Sequence, residues 1–180
     1  MEKRTVASTF AQFFMAVLLG LAIVTSTAFA KSEMKPDVRV VPQFEKMKSL
    51  AGEWQGKSND GVPATVTYEL VSNDSALMER LSIGAESEMV TMYHPDGDRL
   101  MMTHYCSVRN QPRMRAQPAA TESNKIVLDF VDVTNLSAPD AGHMKKLVVT
   151  FEDADHFTQE WTWREKEQEG ATVFHFERKK

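Results

Sequence analysis

The chain has 180 residues, with 21 Lys and Arg against 25 Asp and Glu, a formal charge of −4, and a single cysteine. That modestly acidic balance argues against nucleic acid, whose phosphates demand basic patches, and Cys106 alone excludes an internal disulfide. Stability must come from packing and hydrogen bonds, in a chain long enough for one domain with a real core.

Lys3 and Arg4 precede an apolar run, "AQFFMAVLLGLAIV" (Ala11 to Val24), which "TSTAFA" closes with small residues in an Ala28-x-Ala30 pattern. A positive head, a short apolar core and a small-residue site make a secretory signal peptide. Residues 1–30 are therefore expected to be removed before Lys31, and the protein to be periplasmic or secreted. The run is shorter than the roughly 20 apolar residues that span a bilayer. Lys31, not a cysteine, stands directly after the site, so no stable membrane anchor is expected after cleavage.

Residues 31–41 read as a loose, polar lead-in interrupted by Pro36, and residues 42–180 as the folded domain. "PQFEKMKSL" predicts a short helix: Pro42 suits its first turn, and Phe44, Met47 and Leu50 repeat on one side. Gly52 can stop it. Alternation takes over from there. Val66, Tyr68 and Leu70 oppose Thr65, Thr67 and Glu69; after the turn "SNDS", Leu77, Leu81 and Ile83 alternate with Met78, Arg80 and Ser82. "EMVTMYHPDGDRLMMTHYC" predicts a hairpin with Pro95-Asp96-Gly97 as its turn. A three-residue loop at 95–97 sets Glu88 opposite His104, and a two-residue Asp96-Gly97 loop sets Met89 there; both stay open. "NKIVLDFVDV", "HMKKLVVTFED", "HFTQEWTWRE" and "ATVFHFERK" are four further strands. About nine to ten antiparallel strands and one N-terminal helix predict an all-β fold, an up-and-down β-barrel rather than a βαβ plan.

"LAGEWQG" opens the first strand, and its Gly52-x-Trp54 resembles the signature of lipocalins and related calycin barrels. The resemblance implies that Trp54 closes one end of the barrel against an arginine of the last strand, here Arg178. The segments "LAGEWQGK", "TYELVSNDSALMERL", "EMVTMYHPDGDRLMMTHYC", "NQPRM", "FVDVTNL" and "DADHFTQEWT" resemble an uncharacterised bacterial family of exported, lipocalin-like domains. That likeness implies the barrel and no activity. In outline the chain is also similar to the haem-binding nitrobindin barrels, which implies His175 as the one possible iron ligand. Strand parity opposes this role, because Phe174, Phe176 and Arg178 share the other face.

His104 and Cys106 share a strand face with Leu100 and Met102, but two residues along a strand separate them by roughly 7 Å, too far for a direct hydrogen bond. No base for a Cys106 nucleophile can be assembled, and an enzyme is not expected. Methionines at 78, 89, 92, 101, 102, 114 and 144, with His104 and Cys106, are soft ligands that suit copper, yet no repeated ligand spacing appears. In "RNQPRM", Asn110 and Pro112 read first as a plain turn at the barrel rim, and Arg113 there is the alternative, a group able to clamp a carboxylate. Trp161 and Trp163 share a face with Phe157 and build an aromatic wall, and Tyr68, Tyr93 and Tyr105 offer isolated hydroxyls. His94, His143 and His156 lie beside turns and receive no role.

The expected protein is thus an exported barrel that binds a small, largely apolar molecule, with a carboxylate as a candidate group and no cofactor required. Its candidate pocket or rim residues are Tyr93, His104, Tyr105, Arg113, Trp161 and Trp163; Trp54 and Arg178 supply structural closure. The alternatives are a haem or copper protein, or a filled barrel with a structural or partner-binding role.

Overall fold

The computed structural model describes residues 40–118 and 124–180. The leader and most of the lead-in lie outside the described residues. Helix α1 (Pro42–Lys48) comes first, followed by β1 (Gly52–Ser58), β2 (Pro63–Val71), β3 (Ala76–Ile83), β4 (Met89–Asp96) and β5 (Arg99–Tyr105). The second half is β6 (Gln111–Ala116), β7 (Lys125–Thr134), β8 (His143–Phe151), β9 (His156–Glu165) and β10 (Gln168–Arg178). Each strand pairs antiparallel with its neighbours in sequence, and β1 pairs with β10, so the sheet closes on itself. Closure satisfies every strand edge and makes an up-and-down barrel.

Alternation decides what fills it. Val66 and Tyr68 on β2, Leu77 and Leu81 on β3, Tyr93 on β4, Leu100 and Met102 on β5 and Leu128 on β7 are all buried in one core. Leu147 and Val149 on β8, Phe157 and Trp161 on β9, and Phe174 and Phe176 on β10 complete it. The outward positions between them, such as Gln55, Arg80, Glu160 and Glu177, are exposed.

The two ends differ. One end carries the start of β1, the turns after β2, β4 and β8, and the finish of β10. There α1 docks, burying Phe44 and Met47, while Gln43 Nε2 donates to the Gln117 carbonyl at 2.8 Å. Trp54 packs edge-on against Phe157 with ring centroids 4.7 Å apart, and Phe157 stacks on Phe176 at 5.0 Å. Arg178 lies over Trp54, its Cζ 4.0 Å from the ring centroid. The opposite end carries the loops after β1, β3, β5, β7 and β9, and no helix covers it among the described residues.

The β4–β5 register differs from both hairpin alternatives. Asp96 pairs with Arg99 around a two-residue loop, Gly97-Asp98, and Thr91 stands opposite His104. Gly97 has φ 64°, and Asp98 is not among the positive-φ residues, the pattern of a II′ turn with glycine first. Pro95 is inside the strand, opposite Leu100, rather than in the turn. The hairpin takes the turn that matches strand twist, and this moves the loop past the proline.

Candidate functional site

At the uncovered end the barrel holds a cavity of about 750 Å³. Trp161, Trp163 and Phe174 give it an aromatic wall; Leu81, Met89 and Met144 add apolar surface; His104 and Cys106 stand together on its β5 side. Among the described residues that line it none is lysine or arginine, and Asp60 and Glu86 are its acidic members. The loop before β8 fits against Trp163: a Cβ on Gly142 would come 2.1 Å from Trp163 Cζ2. Asn110 Nδ2 donates to the Gly142 carbonyl at 2.8 Å, fastening that loop to the one after β5.

His104 adjoins a buried polar cluster in the barrel. Thr91 Oγ1 lies 2.9 Å from His104 Nδ1 and donates to Glu79 Oε1 over 3.2 Å. Glu79 Oε2 accepts from the Tyr93 hydroxyl at 2.9 Å and from Gln159 Nε2 at 2.8 Å. Gln159 Nε2 also donates to the Tyr68 hydroxyl at 2.7 Å, and Trp161 Nε1 donates to Gln159 Oε1 at 3.1 Å. Tyr68 is a further hydrogen-bond partner of Glu79. Glu79, Thr91, His104 and Gln159 are each exposed by 1 % or less. A buried carboxylate needs such a shell, since each lost partner strands a polar group without water.

Burial dominates the electrostatics. It raises the Glu79 carboxyl above its ordinary value, against four hydrogen bonds that favour the charged form. The Tyr68 and Tyr93 hydroxyls are pushed up by burial and by the neighbouring Glu79 charge. Burial lowers His104 to about 4, so its imidazole is neutral at pH 7. Of its two ring nitrogens, Nδ1 has Thr91 and Nε2 has no hydrogen-bond partner. Two other buried side-chain atoms among the described residues share that condition, Asn110 Oδ1 and Arg115 Nε; neither residue lines the cavity.

The candidate residues separate into two groups. His104, Trp161 and Trp163 line the cavity, and Tyr93 is in the cluster next to it, bonded to Glu79. Tyr105 and Arg113 do not join them. Tyr105 is 49 % exposed, because parity on β5 turns it away from His104. Arg113 stands inside β6 rather than at the rim, exposed on the outer surface, where Nε donates to Asp132 Oδ1 at 2.7 Å and Nη2 to Oδ2. It therefore supplies no cation to the cavity. His175 is exposed on the outer face of β10, so the residues present do not fit an internal haem ligated there. Among the described residues no three His, Cys, Asp or Glu side chains gather as a metal site.

Glu79, Thr91 and Gln159 are functional candidates that sequence reasoning passed over, although their signal was present. Glu79 has the parity of Leu77 and Leu81, and Gln159 that of Phe157 and Trp161. A charged or amide side chain on the apolar face of a strand marks a buried polar cluster.

No family model matches the sequence, and no curated protein matches it. Among solved structures, it is similar to a crystal structure of a protein of unknown function from the DUF3598 family of Nostoc punctiforme. The identity is 13 % and the TM-score 0.44, with 78 % of this chain and 51 % of that chain covered. The chain thus spans about half the length of that protein.

Proposed function

We propose that this barrel binds a small, largely apolar molecule in the cavity at its uncovered end, and that it does so as an exported protein. The observation that carries the reading is a roomy, aromatic-walled cavity beside one buried, unpartnered polar atom, His104 Nε2. Apolar walls with few convergent polar groups are what ligand pockets usually show. The carboxylate considered from the sequence loses its support, because Arg113 is outside and Asp60 and Glu86 line the cavity.

Nile red, a neutral apolar dye, tests this directly. Binding is expected to shift its emission to the blue and to quench tryptophan fluorescence, since Trp161 and Trp163 line the cavity and Trp54 is near the far end. The quenching should fall in a Trp161→Phe, Trp163→Phe double variant. A dye that stays in water at saturating protein removes the reading.

A second reading rests on Met89, His104, Cys106 and Met144 all lining the same cavity, a soft donor set for Cu(I). Competition for Cu(I) against bicinchoninate tests it. Metal left entirely with the chelator rejects it.

A further inference from the structure

A neutral histidine carries one proton on either ring nitrogen, and its hydrogen-bond partners decide which. Behind His104 the partner is the Thr91 hydroxyl, which has one proton to give and two neighbours, His104 Nδ1 and Glu79 Oε1. Tyr68, Tyr93 and Gln159 also converge on Glu79, an arrangement that suits a carboxylate. An ionised Glu79 only accepts, so Thr91 must give its proton to Oε1; otherwise two acceptor oxygens face each other at 3.2 Å. Thr91 Oγ1 then accepts from His104, which places the imidazole proton on Nδ1. Nε2 is left as a bare lone pair, buried and without a partner. The low basicity that burial gives the ring keeps it from picking up a second proton at pH 7.

We infer that the ligand of this cavity is a neutral molecule that presents a hydroxyl or N–H group to His104 Nε2, with Glu79 and Thr91 as positioning residues that make this nitrogen the acceptor. The inference rests on the cavity being a binding site. The Trp161 ring centroid is 4.8 Å from that of the imidazole, and because Nε2 is buried, the ring must shift for a donor to reach it. A carboxylate is refused, because it brings acceptor to acceptor and meets no lysine or arginine in the lining.

Three probes with one aromatic body separate the possibilities: 2-naphthol, 2-methoxynaphthalene and 2-naphthoate. Calorimetry should show 2-naphthol binding roughly 5- to 20-fold more tightly than its methyl ether, the value of one hydrogen bond to an otherwise stranded acceptor, with naphthoate weakest. In His104→Leu the first two should bind alike. Nitrogen-15 NMR of the imidazole reads the tautomer without any ligand, and Nδ1–H is expected. Glu79→Gln should reverse it: the carbonyl stays with Tyr93 and Gln159, the amide NH₂ faces Thr91, and Thr91 then donates to Nδ1, moving the ring proton to Nε2. The naphthol preference should disappear with it. Thr91→Val, which removes the shared hydroxyl at similar volume, should leave the ring without a fixed tautomer.

An Nε2–H tautomer in the unmodified protein overturns the inference, as does equal binding of 2-naphthol and its ether. Equal binding leaves the cavity itself intact as a binding site. Failure of all three probes and of Nile red removes both readings together.

Discussion

Arg178 covers Trp54 and holds the chain that leads into it: the guanidinium carbon is 4.0 Å from the indole centroid, and Nη1 and Nη2 donate to the Ala51 and Ser49 carbonyls, each at 3.0 Å. Trp54 Nε1 in turn donates to the Leu50 carbonyl at 2.7 Å. The last residue of β10 thus locks the link between α1 and β1, which closes the packed end of the barrel.

Arg178→Ala is expected to lower stability by about 2 kcal/mol, from the lost stacking and the hydrogen bonds to the Ala51, Ser49 and Ala154 carbonyls. Lysine has the charge without the planar fork, so Arg178→Lys should recover less than half of that loss. Urea unfolding of the three proteins checks this. A lysine variant as stable as the parent would show that charge alone matters.

Closure of the sheet depends on a missing side chain. A Cβ on Gly56 would stand 1.9 Å from the His175 carbonyl oxygen, a backbone atom of β10 that cannot turn aside. Gly56→Ala should therefore separate β1 from β10 and cost about 3 kcal/mol, the upper part of the overpacking range, because the clash is with backbone in the closing pair. Gly170, also on β10, has nothing within 4 Å of its Cβ position, and Gly170→Ala should be neutral within about 0.5 kcal/mol. Equal melting temperatures for the two variants would contradict this account of closure.

Antiparallel order and an approximate strand number were legible from alternation, whereas the Trp54–Arg178 contact was legible only through the resemblance of Gly52-x-Trp54 to calycin barrels. The hairpin register was not: Pro95, Asp96 and Gly97 each suit a turn, and only the twist of the paired strands selects Gly97-Asp98. The facing of Tyr105 hangs on that register, which turns it outward. Arg113 differs, because Asn110 and Pro112 suit a turn and hide strand β6. His104 was legible as a candidate but not its chemistry, which depends on Thr91 standing opposite it on β4 and Glu79 standing opposite Thr91 on β3. These residues meet across three strands, and no local spacing encodes such a meeting.

Acid should weaken the fold through His104. Its folded pKa of about 4 is below the ordinary 6.5, so between those values the unfolded chain binds a proton that the folded one does not. Stability therefore falls as pH drops through that window, by about 3 kcal/mol from this group. Glu79 acts in the opposite sense. Burial raises its folded pKa above 4.5, so the folded state takes up that proton first and regains stability as pH falls from the raised value to 4.5. His104→Leu should flatten the acid limb of a plot of unfolding free energy against pH, and Glu79→Gln should steepen it. Unchanged slopes in both variants would remove the cluster from the acid response.

Cys106 provides a chemical report on the cavity. It lines the cavity with 9 % of its surface exposed, so a reagent must enter through the mouth to reach the sulfur. Iodoacetamide should modify it at least about tenfold more slowly than a free thiol, because access limits the reaction. Saturating Nile red should slow the reaction further. A bulky maleimide, once attached, should abolish dye binding in the parent protein and leave Cys106→Ser unaffected. Protection that fails while the dye is bound would place the dye on the outer surface. Protection together with blockage would put thiol and dye in one space, because a reagent that excludes the dye and a dye that excludes the reagent compete for the same volume.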